Sequence, residues 1–161
     1  MKNIILAGFD GKNNPARIIT EKADAICTKI ILPNDKAQSA DLMKKAIRET
    51  NPVCVVILGQ KPSIKNKIAV EPTAKRGKEI LHTSLDCTVT AEKIKESGYT
   101  AYISRGCGTS YCNHIYYECL KSGTNCIFLH VPMADNISEM SEIINAVEYY
   151  IENLGGVPCV L

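Results

Sequence analysis

The sequence predicts an α/β domain of three layers, in which helices cover both faces of a largely parallel sheet. Apolar runs and amphipathic runs alternate along the 161 residues, as is typical of parallel strands joined by helices. Val53-Cys-Val-Val-Ile-Leu58 is apolar and rich in β-branched residues, as expected of a central strand buried on both faces. The helix start and stop signals agree with this fold class, because Asn14 and Pro15 favour a helix start and Gly98 and Gly123 favour helix ends.

The predicted elements follow one another in regular order. We expect strands over residues 2–7, 30–32, 53–58, 101–104 and 126–130. We expect helices after Asn14 and over residues 35–50, 88–97, 112–122 and 137–154. The second and last of these carry apolar residues at helical spacing. The stretch 61–76 is polar, basic and broken by Pro62 and Pro72, so we predict an irregular segment across the mouth of the crevice where strands end.

Length and charge limit the classes of function. The 161 residues fit a single domain, residues 1–161. A net charge of +2 is too small to favour nucleic acid or an anionic membrane as partner. The N-terminus starts like a signal peptide, but its apolar run is too short for one and suits a first strand. We therefore expect a cytoplasmic protein with neither of these partners, and leave a homo-oligomer open.

The cysteines do not suggest a disulfide framework or a metal site. The chain has 8 cysteines, mostly within apolar runs, and 3 scattered histidines. A reduced cysteine behaves as a small hydrophobe, so most of these residues are expected to fill the core. Because no C-x-x-C pair occurs, zinc is not expected.

Two of these residues have the context of covalent catalysis. Cys112 begins a predicted helix, where unpaired backbone N–H groups and the helix dipole favour a thiolate. His130 ends the following strand, from which it could take the thiol proton. Parallel sheets bind ligands beyond the carboxyl ends of their strands, and both residues are predicted to lie there.

Residues 101–114, Ala-Tyr-Ile-Ser-Arg-Gly-Cys-Gly-Thr-Ser-Tyr-Cys-Asn-His, resemble the nucleophile signature of the pyroglutamyl peptidases (pyrrolidone carboxyl peptidases). Phe128-Leu-His-Val-Pro132 is similar to the family's F-I-H-V-P motif, which carries its catalytic histidine. The resemblance spans nearly the whole chain. It implies a shortened, divergent member with a single α/β/α domain and a mixed, mostly parallel sheet of the phosphorylase/hydrolase type.

The resemblance also implies an activity. The protein would be a cysteine peptidase that removes N-terminal pyroglutamyl (5-oxoproline) groups from small peptides with a blocked N-terminus. Cys112 would attack the pyroglutamyl carbonyl, and His130 would return the proton to the leaving amine. Phe9 and Gln60 would contact the lactam ring, and Arg76 would help to hold the oxyanion. No metal or cofactor is implied.

The sequence departs from the family pattern at two places. The family's third catalytic residue is a glutamate in a motif like I-x-x-E-R-I-A-V-N, and the matching stretch places Asn66 there. An amide oxygen can orient a histidine, as in Cys-His-Asn peptidases, so Asn66 is the expected orienter, with Glu71 as the alternative. The second phenylalanine of the family's pyroglutamyl pocket has no counterpart here.

Other functions stay open. The missing aromatic wall and shorter loops would also suit a thiol hydrolase or amidase that acts on another small acyl group. Cys112 and Cys107 would suit a redox sensor, and a non-catalytic binding homologue is the last alternative. Near the crevice, basic side chains of residues 61–76 form a rim, whose lysines we expect to be solvated loop charges.

Overall fold

A computed structural model describes residues 3–106, 108 and 110–160. The strands in these residues are β1 (Ile4–Phe9), β2 (Thr28–Leu32), β3 (Cys54–Lys61), β4 (Lys67–Glu71), β5 (Thr73–Arg76), β6 (Glu79–His82), β7 (Thr100–Ile103) and β8 (Cys126–Pro132). The α-helices are α1 (Pro15–Lys22), α2 (Lys36–Thr50), α3 (Cys87–Glu96), α4 (Tyr111–Lys121) and α5 (Met140–Glu152). Each helix in this part of the chain is too short or too polar to span a membrane.

Six strands form one mixed sheet in the order β2-β1-β3-β8-β4-β7. β2, β1, β3 and β8 are parallel, β4 is antiparallel to β8, and β7 is parallel to β4. One apolar cluster joins the sheet to α1, α3 and α5, and a second joins its other face to α2 and α4. The predicted α/β class with a mixed, mostly parallel sheet is therefore confirmed.

Local chemistry explains where the predicted helices begin. Asn14 Oδ1 accepts a hydrogen bond from Ala16 N at 3.0 Å, and Pro15 occupies the first helical position, where a missing N–H costs nothing. Asp35 Oδ1 caps α2 in the same way, at 2.8 Å from Gln38 N. These caps fix the starts of two helices that cover opposite faces of the sheet.

The prediction of an irregular segment over residues 61–76 is wrong. It contains β4, an interior strand of the sheet, and β5, which forms a hairpin with β6. Ile68, Ala69 and Val70 are completely buried. Pro62 and Pro72 lie outside β4, so they bound the strand and do not interrupt its ladder.

The strand ends also differ from the expectation. β8 continues to Pro132 and β3 to Lys61, so His130 and Gln60 lie inside strands. β7 runs against β8, so its end is not one of the aligned carboxyl ends. Through Val70, however, Ile103 at the end of β7 is level with Leu129. The loop that leads to α4 therefore starts near the level of His130, with β4 between the two strands.

Candidate active site

Cys112 lies in the first turn of α4, directly above β3. A Cβ atom added to Gly59 would lie 2.6 Å from Cys112 Sγ and 2.7 Å from Phe128 Cζ. Only glycine leaves room for the sulfur here. Gly59 is also the residue of β3 that pairs with His130 on β8. The structure thus brings Cys112 and His130 over adjacent positions of neighbouring strands.

His130 is held from behind by a buried carboxylate. Its ring Nδ1 lies 2.6 Å from Glu71 Oε1, and Glu71 is completely buried. The Phe128 ring packs beside the imidazole, with a centroid distance of 4.8 Å. Because Nδ1–H donates to the carboxylate, Nε2 is left as the basic nitrogen of the ring. The arrangement provides a histidine ready to accept a proton.

Glu71, and not Asn66, is the group that contacts His130 in this way. Asn66 lies in a turn with a φ of 48°, before β4 begins. Its Oδ1 accepts from Ser138 N, and its Nδ2 donates to Ser138 Oγ, both at 2.8 Å. Strand alternation explains the difference, since Ala69 pairs with His130 and Glu71 shares its face. The expected position of Asn66 as the orienter is corrected.

The electrostatics of Cys112 also differ from the expectation of a stabilised thiolate. Burial raises the pKa of the Cys112 thiol to about 11, with hydrogen bonds from Ser110 and the Cys112 main chain opposing the shift and the Glu71 charge adding to it. Desolvation therefore outweighs the helix start. The resting nucleophile is a neutral thiol, which needs a base at the moment of attack.

Asn113 is a residue whose role the sequence did not reveal. Its Oδ1 accepts from Lys75 N at 2.8 Å, and its Nδ2 donates to Lys75 O at 2.7 Å. These two bonds fasten β5 to the first turn of α4, next to Cys112. An asparagine beside a candidate nucleophile is the only signal for this in the sequence, and it does not identify the partner.

A cleft of about 610 Å³ opens at the carboxyl ends of β1, β3 and β8, and Cys112, His130 and Glu71 are not among the residues that line it. Gln60 lines this cleft, and its contact with substrate stays a prediction. The other lining residues include Asp10, Asn13, Asn14, Asn34 and Asp135. Phe9 is only 4% exposed and belongs to the apolar cluster against which Cys112 packs. Phe9 is thus a buried residue and is not among those that line the cleft.

Arg76 is not brought to the expected oxyanion position. Its guanidinium forms an ion pair with Glu118 and lies over the Tyr117 ring, 4.1 Å from the centroid. Its Nη2 is also 3.4 Å from His114 Nδ1. These partners all follow Cys112 along α4. The Arg76 side chain therefore extends along the helix, beyond Cys112.

The remaining expectations concern metals and a second thiol. No group of three or more metal-binding side chains occurs among the described residues. Cys107, the expected partner of Cys112 in a redox pair, lies outside them, as does Thr109 of the nucleophile signature.

A partly buried thiol, an imidazole and a carboxylate on one face of an α/β sheet are typical of hydrolases with a cysteine nucleophile. No family model matches the sequence. A pyrrolidone-carboxylate peptidase of Lactobacillus helveticus is 30% identical over 169 aligned positions, covering 80% of this chain and 82% of the relative. One of Lacticaseibacillus paracasei is 28% identical and covers 80% and 77%. The chain belongs to the pyrrolidone-carboxylate peptidase family.

Solved structures support the fold. The pyroglutamyl peptidase I of Bacillus amyloliquefaciens superposes with a TM-score of 0.83 at 19% identity, covering 94% of this chain and 93% of that one. The pyrrolidone carboxyl peptidase of Fervidobacterium islandicum also gives 0.83, at 18% identity and with coverage of 98% and 100%.

Proposed function

We propose that the protein is a cysteine peptidase that removes N-terminal pyroglutamyl groups from peptides, with Cys112, His130 and Glu71 as its catalytic residues. The observation that carries the proposal is the arrangement of three residues: Cys112 packs against Gly59, Gly59 is the strand partner of His130, and His130 contacts Glu71. Membership of the family supplies the substrate class. Glu71 takes the role expected of Asn66.

The reaction begins with a proton transfer. His130 removes the thiol proton of Cys112 as the sulfur attacks the pyroglutamyl carbonyl, because the resting thiol is neutral. The tetrahedral oxyanion forms at the start of α4, where backbone N–H groups lack helical partners. The C–N bond then breaks, the leaving amine takes the proton from His130, and water hydrolyses the thioester. Glu71 stabilises the imidazolium in both halves of the reaction.

The cleft lined by Gln60 is the proposed site of the lactam ring. Its lining is rich in carboxamide and carboxylate groups. This polar lining favours a second candidate function, hydrolysis of another small acyl group with more hydrogen-bonding atoms than pyroglutamyl.

A chromogenic pyroglutamyl amide tests the first function. We expect turnover by the wild type, a covalent acyl-enzyme on Cys112 in mass spectra, and loss of both in Cys112→Ala. A comparison of KM values for pyroglutamyl and other small acyl amides tests the second. Absence of an acyl-enzyme with every such amide would contradict both.

The redox-sensor alternative agrees less well with Cys112. Redox-sensing cysteines have a low pKa and an accessible sulfur, whereas burial raises the pKa of Cys112. The cytoplasmic location, the single domain, the lack of nucleic-acid and membrane partners and any homo-oligomer remain predictions.

A further inference from the structure

Lys61 is a basic residue of the stretch 61–76 that is not a solvated loop charge. It is the last residue of β3, and its side chain is 26% exposed. Its Nζ lies 3.5 Å from Glu71 Oε1 and 3.3 Å from Ser104 Oγ, which follows β7. We propose that Lys61 is a positioning residue of the active site, which balances the charge of the buried Glu71 carboxylate and keeps that carboxylate directed at His130. This inference rests on the proposed function of the same site.

The first argument concerns the charge on Glu71. An ionised carboxylate without water is costly unless an opposite charge or several hydrogen bonds compensate for it. In the described part of the chain, Glu71 Oε2 has no hydrogen-bond partner. His130 contributes one hydrogen bond, so Lys61 provides the permanent positive charge.

Four other described residues act on this pair, and none of them carries a permanent positive charge. The Tyr116 hydroxyl of α4 donates to the main-chain oxygen of Glu71 at 2.7 Å. The pKa of the thiols of Cys87 in α3 and Cys112 in α4 is raised to about 11, mainly by burial. The negative charge of Glu71 contributes a smaller part of each increase. Both are therefore neutral near pH 7. Ser104, on the β7 side, is an uncharged hydroxyl.

The second argument concerns geometry. Both contacts of the carboxylate, to His130 and to Lys61, are made by Oε1. The ammonium is itself held by Ser104, so it links β3 to β4 and to the end of β7. A carboxylate held by one contact could rotate about its terminal torsion, which is broad. A second, charged contact to the same oxygen keeps that oxygen opposite the imidazole.

The charge balance predicts a change in the proton affinity of the site. With Lys61 present, the Glu71–Lys61 pair is neutral, and proton transfer from Cys112 to His130 creates one further neutral pair. Without Lys61, the site carries one uncompensated negative charge. That charge would retain a proton on His130 and disfavour the Cys112 thiolate.

The test compares Lys61→Gln with Lys61→Arg, and uses Lys65→Gln as the matched control for loss of one charge from the neighbouring loop. The first measurement is the NMR titration of the His130 ring protons without substrate. We expect Lys61→Gln to move the midpoint to higher pH by roughly one unit, the size of a nearby-charge effect. Lys61→Arg and Lys65→Gln should leave it unchanged.

The second measurement is the pH profile of kcat/KM for a pyroglutamyl amide, whose acid limb should move in the same direction while KM changes little. If Lys61→Gln does not fold, Ser104→Ala, which removes the tether of the ammonium, should give a smaller shift of the same sign. An unchanged midpoint, or an equal shift in Lys65→Gln, would overturn the assignment of Lys61. Because the titration needs no substrate, it separates that result from failure of the peptidase proposal.

Discussion

Asn66 and Glu71 lie at opposite ends of one short segment and have opposite surroundings. Asn66 is in a left-handed turn, where its amide is fully occupied by Ser138. Glu71 is completely buried behind His130 and contacts both the imidazole and Lys61. The residue at the position of the family's catalytic glutamate, Asn66, holds a loop, whereas Glu71, which no motif marked, supplies the carboxylate.

This difference shows that the position of a side chain in space, and not its place in an aligned motif, decides which group supports the histidine. A strand can present a carboxylate to a neighbouring strand from any position that shares the required face. Position 71 meets that condition because it is two residues beyond Ala69, the partner of His130.

The largest expected effect is at the buried end of the segment. Glu71→Gln should lower kcat by ~10²–10³, because an amide can hold the ring but cannot stabilise the imidazolium with a charge, and acid–base assistance contributes on the order of 10²–10⁴. Steady-state kinetics on a pyroglutamyl amide measures this. A kcat within about twofold of the wild type would show that the carboxylate is dispensable.

The next prediction concerns the place where the sulfur packs against β3. Gly59→Ala should lower kcat by ~10²-fold, since a displacement of about 1 Å at a reacting group has a cost of that order. The added Cβ would lie 2.6 Å from Cys112 Sγ. Gly98→Ala, at a site with open space around it but a φ of +91°, controls for general destabilisation. Equal kcat losses in both variants would argue against a specific contact at Gly59.

A third prediction tests the buried character of the site through stability. The folded pKa of Cys112 is raised to about 11, above the unfolded value of about 8.5. The associated stability is therefore fully present below pH ~8.5 and is lost as pH rises towards 11. The wild type should lose roughly 1–2 kcal/mol more than Cys112→Ala between pH 8 and pH 10. Denaturant unfolding measures this loss, and Cys159→Ala, at an exposed thiol, is the control that should behave as the wild type does. Equal losses in the wild type and in Cys112→Ala would contradict the burial of Cys112.

The smallest effect is expected at the solvent-side end. Asn66→Ala should change kcat/KM less than about twofold, while the free energy of unfolding falls by about 1–2 kcal/mol because the side-chain bonds to Ser138 and the left-handed turn preference are lost. Kinetics and denaturant unfolding on the same preparation check both parts. A large loss of activity without a loss of stability would show that Asn66 has a role in catalysis.

The sequence predicted the four parallel strands and β7 well, but it missed β4, β5 and β6. β3 and β8 are long apolar runs, and the capping residues Asn14 and Asp35 act locally, so both signals can be read without knowledge of the fold. β4 is only five residues long and lies among lysines and prolines. Its burial comes from neighbours that are distant in sequence, which a local pattern cannot reveal.

The candidate site shows the same division. Cys112 and His130 follow from their motifs, and the structure places Cys112 over Gly59, the strand partner of His130. The contacts of Glu71, Lys61 and Asn113 depend on how strands and helix align in three dimensions. The raised pKa of Cys112 has the same origin, because the helix start is a local feature and the depth of burial is not.

The double hydrogen bond between Asn113 and the main chain of Lys75 has a consequence for measurement. The Lys75 amide belongs to an exposed residue of a two-stranded ribbon, yet its hydrogen is held by the helix that carries Cys112. Its rate of exchange with deuterium therefore reports how often the first turn of α4 separates from the hairpin. The exchange rate of this one amide, followed in the protein without substrate, would therefore measure how stably the turn that carries the Cys112 sulfur is held.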